Sequence, residues 1–92
     1  MAHKLYVVIV HWHQTPQIQK LEVALGSVGD WLRFSNSSWI IHSQKTPRNI
    51  FDAIAPAMHK NDSELIFEIN RDSFSGWAKP WVDNWVKDRW AK

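Results

Sequence analysis

His11 and His13 stand two residues apart at the end of an apolar run. That spacing puts both imidazoles on one face of an extended chain and lets them reach a single Zn²⁺. Two ligands are too few without a third from elsewhere or from a second copy, so strand-end packing is the stronger expectation, followed by contact with a phosphate or a partner. Lys45 and Arg48 flank Thr46-Pro47. At a helix start the free N–H groups and the dipole would assist them in holding an anion, which makes this the best local anion site, with an ordinary solvated helix start as the default. Trp77, Trp81 and Trp85 recur at four-residue steps, interleaved with Lys79, Lys87, Arg89 and Lys92. Such a row closes a sheet face or seals a dimer, or else offers unpaired bases a stacking platform. The four-residue step is what any buried stripe requires, so packing is the expected role.

The carboxylates Asp30, Asp52, Glu64, Glu68, Asp72, Asp83 and Asp88 fall on caps, turns and exposed faces, and none makes a pair spaced for acid and base work. Asp62, after the second helical segment, reads as turn chemistry. There is no Gly-rich phosphate loop, no defensible Ser-His-Asp order and no cysteine, which excludes a thiolate metal site, a disulfide framework and a cysteine nucleophile. No catalytic residue, metal site or cofactor is therefore assigned. With 11 basic against 9 acidic residues the net charge is +2, and the basic residues are spread out instead of gathered as a phosphate-neutralising face needs. No secretory signal or membrane-spanning run is visible, and a chain without cysteine suits a reducing compartment, so the expected location is the cytoplasm.

The elements that must carry these side chains follow from periodicity. Leu5 to Val10 is apolar throughout and β-branched, a central strand to be covered on at least one face. Thr15-Pro16 reads as a helix start, followed by the stripe Ile18, Leu21, Ala24, Leu25 and Val28, with Gly29 as terminator. Asp30 to Phe34 and Ser38 to Ser43 form a hairpin around the tip Ser35-Asn36-Ser37. Thr46-Pro47 opens a second helix with Ile50, Phe51, Ile54, Ala57 and Met58 on its buried side, and Pro56 must bend or divide it. Glu64 to Asn70 alternates as a half-buried strand, Leu65, Phe67 and Ile69 against Ile66, Glu68 and Asn70. Trp77 to Trp90 is a third helical segment, with Pro80 in its first turns. His42 belongs at the end of the sheet opposite His11, close to His3. The order βαββαβ plus a Trp-rich helix matches the split βαβ plan of a single ferredoxin-like α+β domain spanning residues 1–92, with the first and third strands central.

Asp30-Trp31, Ser38-Trp39-Ile40-Ile41, Asn61-Asp62 with Leu65-Ile66, and Gly76-Trp77 ahead of a Trp-bearing helix resemble the SinR-like branch of the CRISPR-associated protein two superfamily, over most of the chain from about Asp30 to Trp90. The resemblance implies a ferredoxin-like fold and a homodimer. It also implies DNA binding in spacer acquisition, or the metal-dependent nuclease or toxin-like ribonuclease activity of some relatives. Nuclease members carry an acidic residue at the end of the first strand, where this chain has His11. Because hard Mg²⁺ prefers oxygen ligands, the catalytic assignment is not carried over. The expectation is a cytoplasmic homodimer acting by binding, as a nucleic-acid-associated accessory protein without nuclease activity. The alternative is a protein-interaction module, such as an effector or inhibitor from a mobile element, and a metal-dependent ribonuclease is the weaker third. His11, His13, Lys45, Arg48, Trp81, Lys87 and Arg89 are the candidate contact residues.

Overall fold

The computed structural model describes residues 3–70, 76 and 78–90. Trp77, Lys92 and most of the loop expected over Arg71 to Gly76 lie outside the described residues. The described elements are β1 (Lys4–His11), α1 (Ile18–Gly26), β2 (Asp30–Ser35), β3 (Ser38–Ser43), α2 (Pro47–Ile54) with a 3₁₀ turn (Ala55–Ala57), β4 (Ser63–Glu68) and α3 (Pro80–Trp90). Four strands form one antiparallel sheet in the order β2-β3-β1-β4, so β1 and β3 lie inside and β2 and β4 at the edges.

Tyr6, Val8 and Val10 of β1 and Trp39 and Ile41 of β3 are buried on one face, where Leu21 and Leu25 of α1 and Ile50 and Ile54 of α2 cover them. Each aliphatic side chain so buried contributes roughly 1.5–3 kcal/mol, which makes this layer the main source of stability. Tyr6 keeps its polar end satisfied by donating from Oη to the Lys45 carbonyl at 3.0 Å, and burial pushes its hydroxyl pKa up.

The two Thr-Pro signals have different fates. Thr46 caps α2, its Oγ1 accepting from the Asn49 N–H at 3.1 Å, with Pro47 in the first turn. Thr15-Pro16 stays in the loop, and α1 begins at Ile18 behind Gln17 with no side-chain cap. The loop is held elsewhere: Trp12 Nε1–H donates to the Asn36 carbonyl at 2.8 Å, and the His13 N–H donates to Asp62 Oδ1 at 2.7 Å. Gly29 also differs from expectation. α1 closes at Ser27, and Gly29 has no left-handed φ; a Cβ there would collide with the His42 carbonyl oxygen, so the residue is glycine because β3 passes against it. Pro56 does divide its helix, leaving α2 to end at Ile54 and a 3₁₀ turn to follow, as a residue without an N–H requires. β4 ends at Glu68, two residues short of the expected strand, although the Ile69 N–H still reaches the Leu5 carbonyl at 2.8 Å.

Glu22, to which the sequence reading gives no role, fastens α1 to the sheet. Its carboxylate accepts Arg33 Nε at 2.6 Å and Nη2 at 2.7 Å, and the indole N–H of fully buried Trp39 at 2.9 Å. The Arg33 hydrogen bonds hold the Glu22 pKa down; desolvation opposes them and the Trp39 N–H assists. A depressed folded pKa stabilises above the ordinary carboxylate range, and that contribution is lost as pH falls through the folded value. Glu22→Ala leaves the Trp39 N–H without its acceptor and is expected to cost about 1–3 kcal/mol in urea unfolding at pH 7, and less at pH 3. Glu22→Gln, which keeps an acceptor, should fall between the two.

Candidate functional site

The sheet has a second face. Cross-strand partners share a face, so the register Leu32↔Ile40↔Val7↔Phe67 and Ser38↔Ile9↔Leu65 defines two rows turned away from α1 and α2. α3 lies against this face, its Arg89 reaching Asp30 at the start of β2 and lining a cleft with Leu5 and His42. Val82 and Val86 are its buried residues, and Leu32 on β2 is only 3% exposed. Between helix and sheet runs a groove of about 670 Å³, with Val7, Phe34, Ile40, Ile69, Val82 and Val86 among its lining. No described element covers the corner formed by Ile9, Leu65 and Phe67, which are 42%, 58% and 51% exposed, and Phe34 on β2 is 57% exposed, whereas Leu5 at the other end of the same face is 2% exposed.

β4 is therefore inverted with respect to its composition. Its apolar residues Leu65 and Phe67 face outward, while Glu64, Ile66 and Glu68 lie on the helix-covered side opposite Val10, Val8 and Tyr6. Glu64 Oε2 is enclosed there with no hydrogen-bond partner, and desolvation pushes the Glu64 pKa up. A slip of one residue would reverse both faces. The pairing of β1 with β4 holds the register as it is.

The expected contact residues do not converge. His11 is exposed at the end of β1, opposite Ser63 on the outer face, whereas His13 lies beyond the strand with its backbone tied to Asp62. The two imidazoles are thus not neighbours on one strand face, and among the described residues no group of three His, Cys, Asp or Glu side chains could hold a metal ion. Asp62 does more than turn chemistry. Its second oxygen accepts the His59 N–H at 2.8 Å, so one carboxylate joins the β1–α1 loop to the turn before β4. Partial desolvation raises its pKa, but the backbone N–H groups of His13 and His59 outweigh that and leave it lowered.

At the α2 start, Arg48 is paired with Asp52 at 3.3 Å and lies 5.1 Å from the centre of the Phe51 ring, while Lys45 is exposed beside the cap. Lys87 pairs with Asp83 at 2.9 Å. Arg89 stacks at 3.9 Å on the Trp85 ring, donates to the Trp85 carbonyl at 3.3 Å and approaches Asp30 at 3.7 Å, so it clamps α3 to the start of β2. Lys4 and Arg33 pair with Glu68 and Glu22. Trp81 departs from the packing expected of its row: it is 56% exposed, and Val82 and Val86 form the seam instead. At the far end of the sheet His3 and His42 stack at 4.6 Å with an interplanar angle of 16°, lining a cleft with Lys4, Glu68 and Arg89. Stacked rings present faces to each other and not nitrogens, and the flanking charges are of both signs.

The outer apolar face is the feature that reading the sequence missed. Its signal was the alternation within Leu65 to Asn70, which announces an apolar row without saying on which side of the sheet it lies. No family model, curated protein or solved structure matches the chain. The resemblance to the CRISPR-associated protein two superfamily rests on the quoted residues alone.

Two outcomes are expected from this geometry. Trp81→Ala should change stability by less than about 1 kcal/mol in urea unfolding, the scale of an exposed position. Glu64→Gln should stabilise the protein at pH 7. A raised folded pKa means that ionised Glu64 destabilises above that value and that the penalty fades as pH falls, so the gain from Gln should shrink when unfolding is repeated at pH 4.

Proposed function

We propose that this chain is a homodimeric module of the ferredoxin-like, split βαβ plan that acts by binding protein, with the outer sheet face as its working surface. The four antiparallel strands with β1 and β3 inside support the plan. The observation that carries the function is the inversion of β4. Two glutamates are turned toward the helix-covered side while Leu65 and Phe67 are turned outward, an arrangement that disfavours an isolated monomer and suits a face that becomes covered. Trp81, exposed on the neighbouring helix, is of the residue type that anchors protein interfaces. No helix among the described residues is long and apolar enough to cross a membrane, and the lack of cysteine fits a cytoplasmic setting.

The nucleic-acid-associated reading, that of an accessory protein of the CRISPR-associated type, ranks second. It is favoured by exposed Phe34, Phe67 and Trp81, which could stack unpaired bases. Charge weighs against it, since Lys4, Arg33, Arg48, Lys87 and Arg89 each have a carboxylate within ion-pair distance. The ribonuclease reading has no clustered metal-ligating side chains among the described residues to build on.

Titration with short single- and double-stranded oligonucleotides across a salt series separates the two leading readings. Protein binding as the primary role predicts no measurable oligonucleotide affinity at low salt. Affinity that falls steeply with salt would put nucleic acid first.

A further inference from the structure

The free side of β4 is a surface distinct from the outer face of the sheet. We infer that this edge accepts an extended segment of another protein as an added antiparallel strand, and that the segment carries a basic, an apolar and a basic residue at alternate positions; this names the partner class for the protein binding proposed above and rests on that reading.

The direction of the main-chain hydrogen bonds comes first. The Ile69 N–H donates to the Leu5 carbonyl at 2.8 Å, and along an antiparallel pair the residues that turn their main chain toward the neighbour alternate. Phe67 and Leu65 therefore direct their N–H and C=O groups to β1, opposite Val7 and Ile9, whereas Glu68, Ile66 and Glu64 direct theirs away from it. β4 ends the sheet, and no described strand lies beyond it. The donors and acceptors of Glu64, Ile66 and Glu68 are thus open to a strand laid alongside.

Charge then selects the strand. The side chains of the same three residues lie on the helix-covered side. Residues directly opposite across an antiparallel pair share a face, so the added strand brings the residues facing Glu64, Ile66 and Glu68 to that side. Glu64 Oε2 is enclosed there with no hydrogen-bond partner, and half-exposed Glu68 has Lys4 at 3.5 Å. A Lys or Arg opposite each carboxylate supplies a donor and a cross-strand ion pair, and an apolar residue between them meets Ile66. The two residues that alternate with these fall on the outer side, beside exposed Leu65 and Phe67, where apolar side chains fit.

The two carboxylates also disfavour other occupants. If β4 paired with β4 of a second copy about Ile66, Glu64 of each would stand opposite Glu68 of the other, and like charges directly opposite are destabilising. The phosphates of a nucleic acid or of an anionic lipid surface would meet the same repulsion. Charged side chains on an edge strand guard it against self-pairing, and a basic strand turns that guard into attraction.

Fluorescence anisotropy with a labelled, end-blocked peptide of core Lys-Val-Ile-Val-Lys tests the assignment, with circular dichroism checking that each variant folds. The dissociation constant is expected below about 1 mM, and replacing both Lys by Glu should weaken binding at least about tenfold. Glu68→Lys, at a half-exposed position, should weaken the Lys peptide about fivefold or more. Combining it with Glu64→Lys should reverse the preference toward the Glu peptide. N-methylation of the central Ile, whose N–H faces β4, should abolish binding, while N-methylation of the following Val, whose N–H faces away, should change it less than about twofold. No binding of the Lys peptide, equal affinity for the Lys and Glu peptides, or binding that survives methylation of the central Ile would overturn the edge assignment and leave protein binding by the outer face standing. If the Lys peptide fails and oligonucleotides bind with an affinity that falls steeply with salt, the protein-binding reading falls with it.

Discussion

The double pairing of β1 places everything else in this domain. β1 is hydrogen-bonded to β3 on one side and to β4 on the other, so its register decides which residues of both neighbours face the helices. Tyr6, Val8 and Val10 look toward α1 and α2, while Leu5, Val7 and Ile9 look the opposite way. A strand apolar on both sides makes the second face of its sheet apolar as well. The described chain answers that demand in part, with Val82 and Val86 of α3 buried and Leu5 and Leu32 covered, while Ile9, Leu65 and Phe67 stay exposed.

β4 shows that this exposure is a property of register and not of composition alone. Opposite β1, Leu65 and Phe67 extend the apolar surface of Ile9 and Val7, while Glu64 and Glu68 are brought onto the covered side. Glu68 reaches Lys4 near the rim, but Glu64 is enclosed without a partner for one oxygen. Enclosing a carboxylate oxygen without a partner and leaving large apolar side chains in water both cost stability.

Polar fastening is concentrated elsewhere. Glu22 gathers the Arg33 guanidinium and the Trp39 indole under α1, Asp62 gathers two backbone N–H groups from separate loops, and Arg89 lies on Trp85 and reaches to Asp30. Each of these side chains connects a helix or loop to the sheet. Glu22 with Arg33 and Arg89 with Asp30 engage a cation with a carboxylate, while Asp62 satisfies backbone donors.

Residue pattern by itself determined the element order, the inside position of β1, the capped start of α2 and its division at Pro56. Those follow from local rules: side-chain period, a hydroxyl before proline, and a residue lacking an N–H. It also placed His3 near His42. Tertiary structure alone decided which face Leu65 and Phe67 occupy, that Val82 and Val86 are buried on α3 while Trp81 is exposed, and that Thr15-Pro16 stays in a loop held by Asp62 and Asn36. Alternation along a strand is symmetric between the two sides of a sheet, and a helix carries more than one apolar stripe. Only pairing with β1 and contact with distant elements remove that ambiguity, because they act across separations in the chain that no local pattern spans.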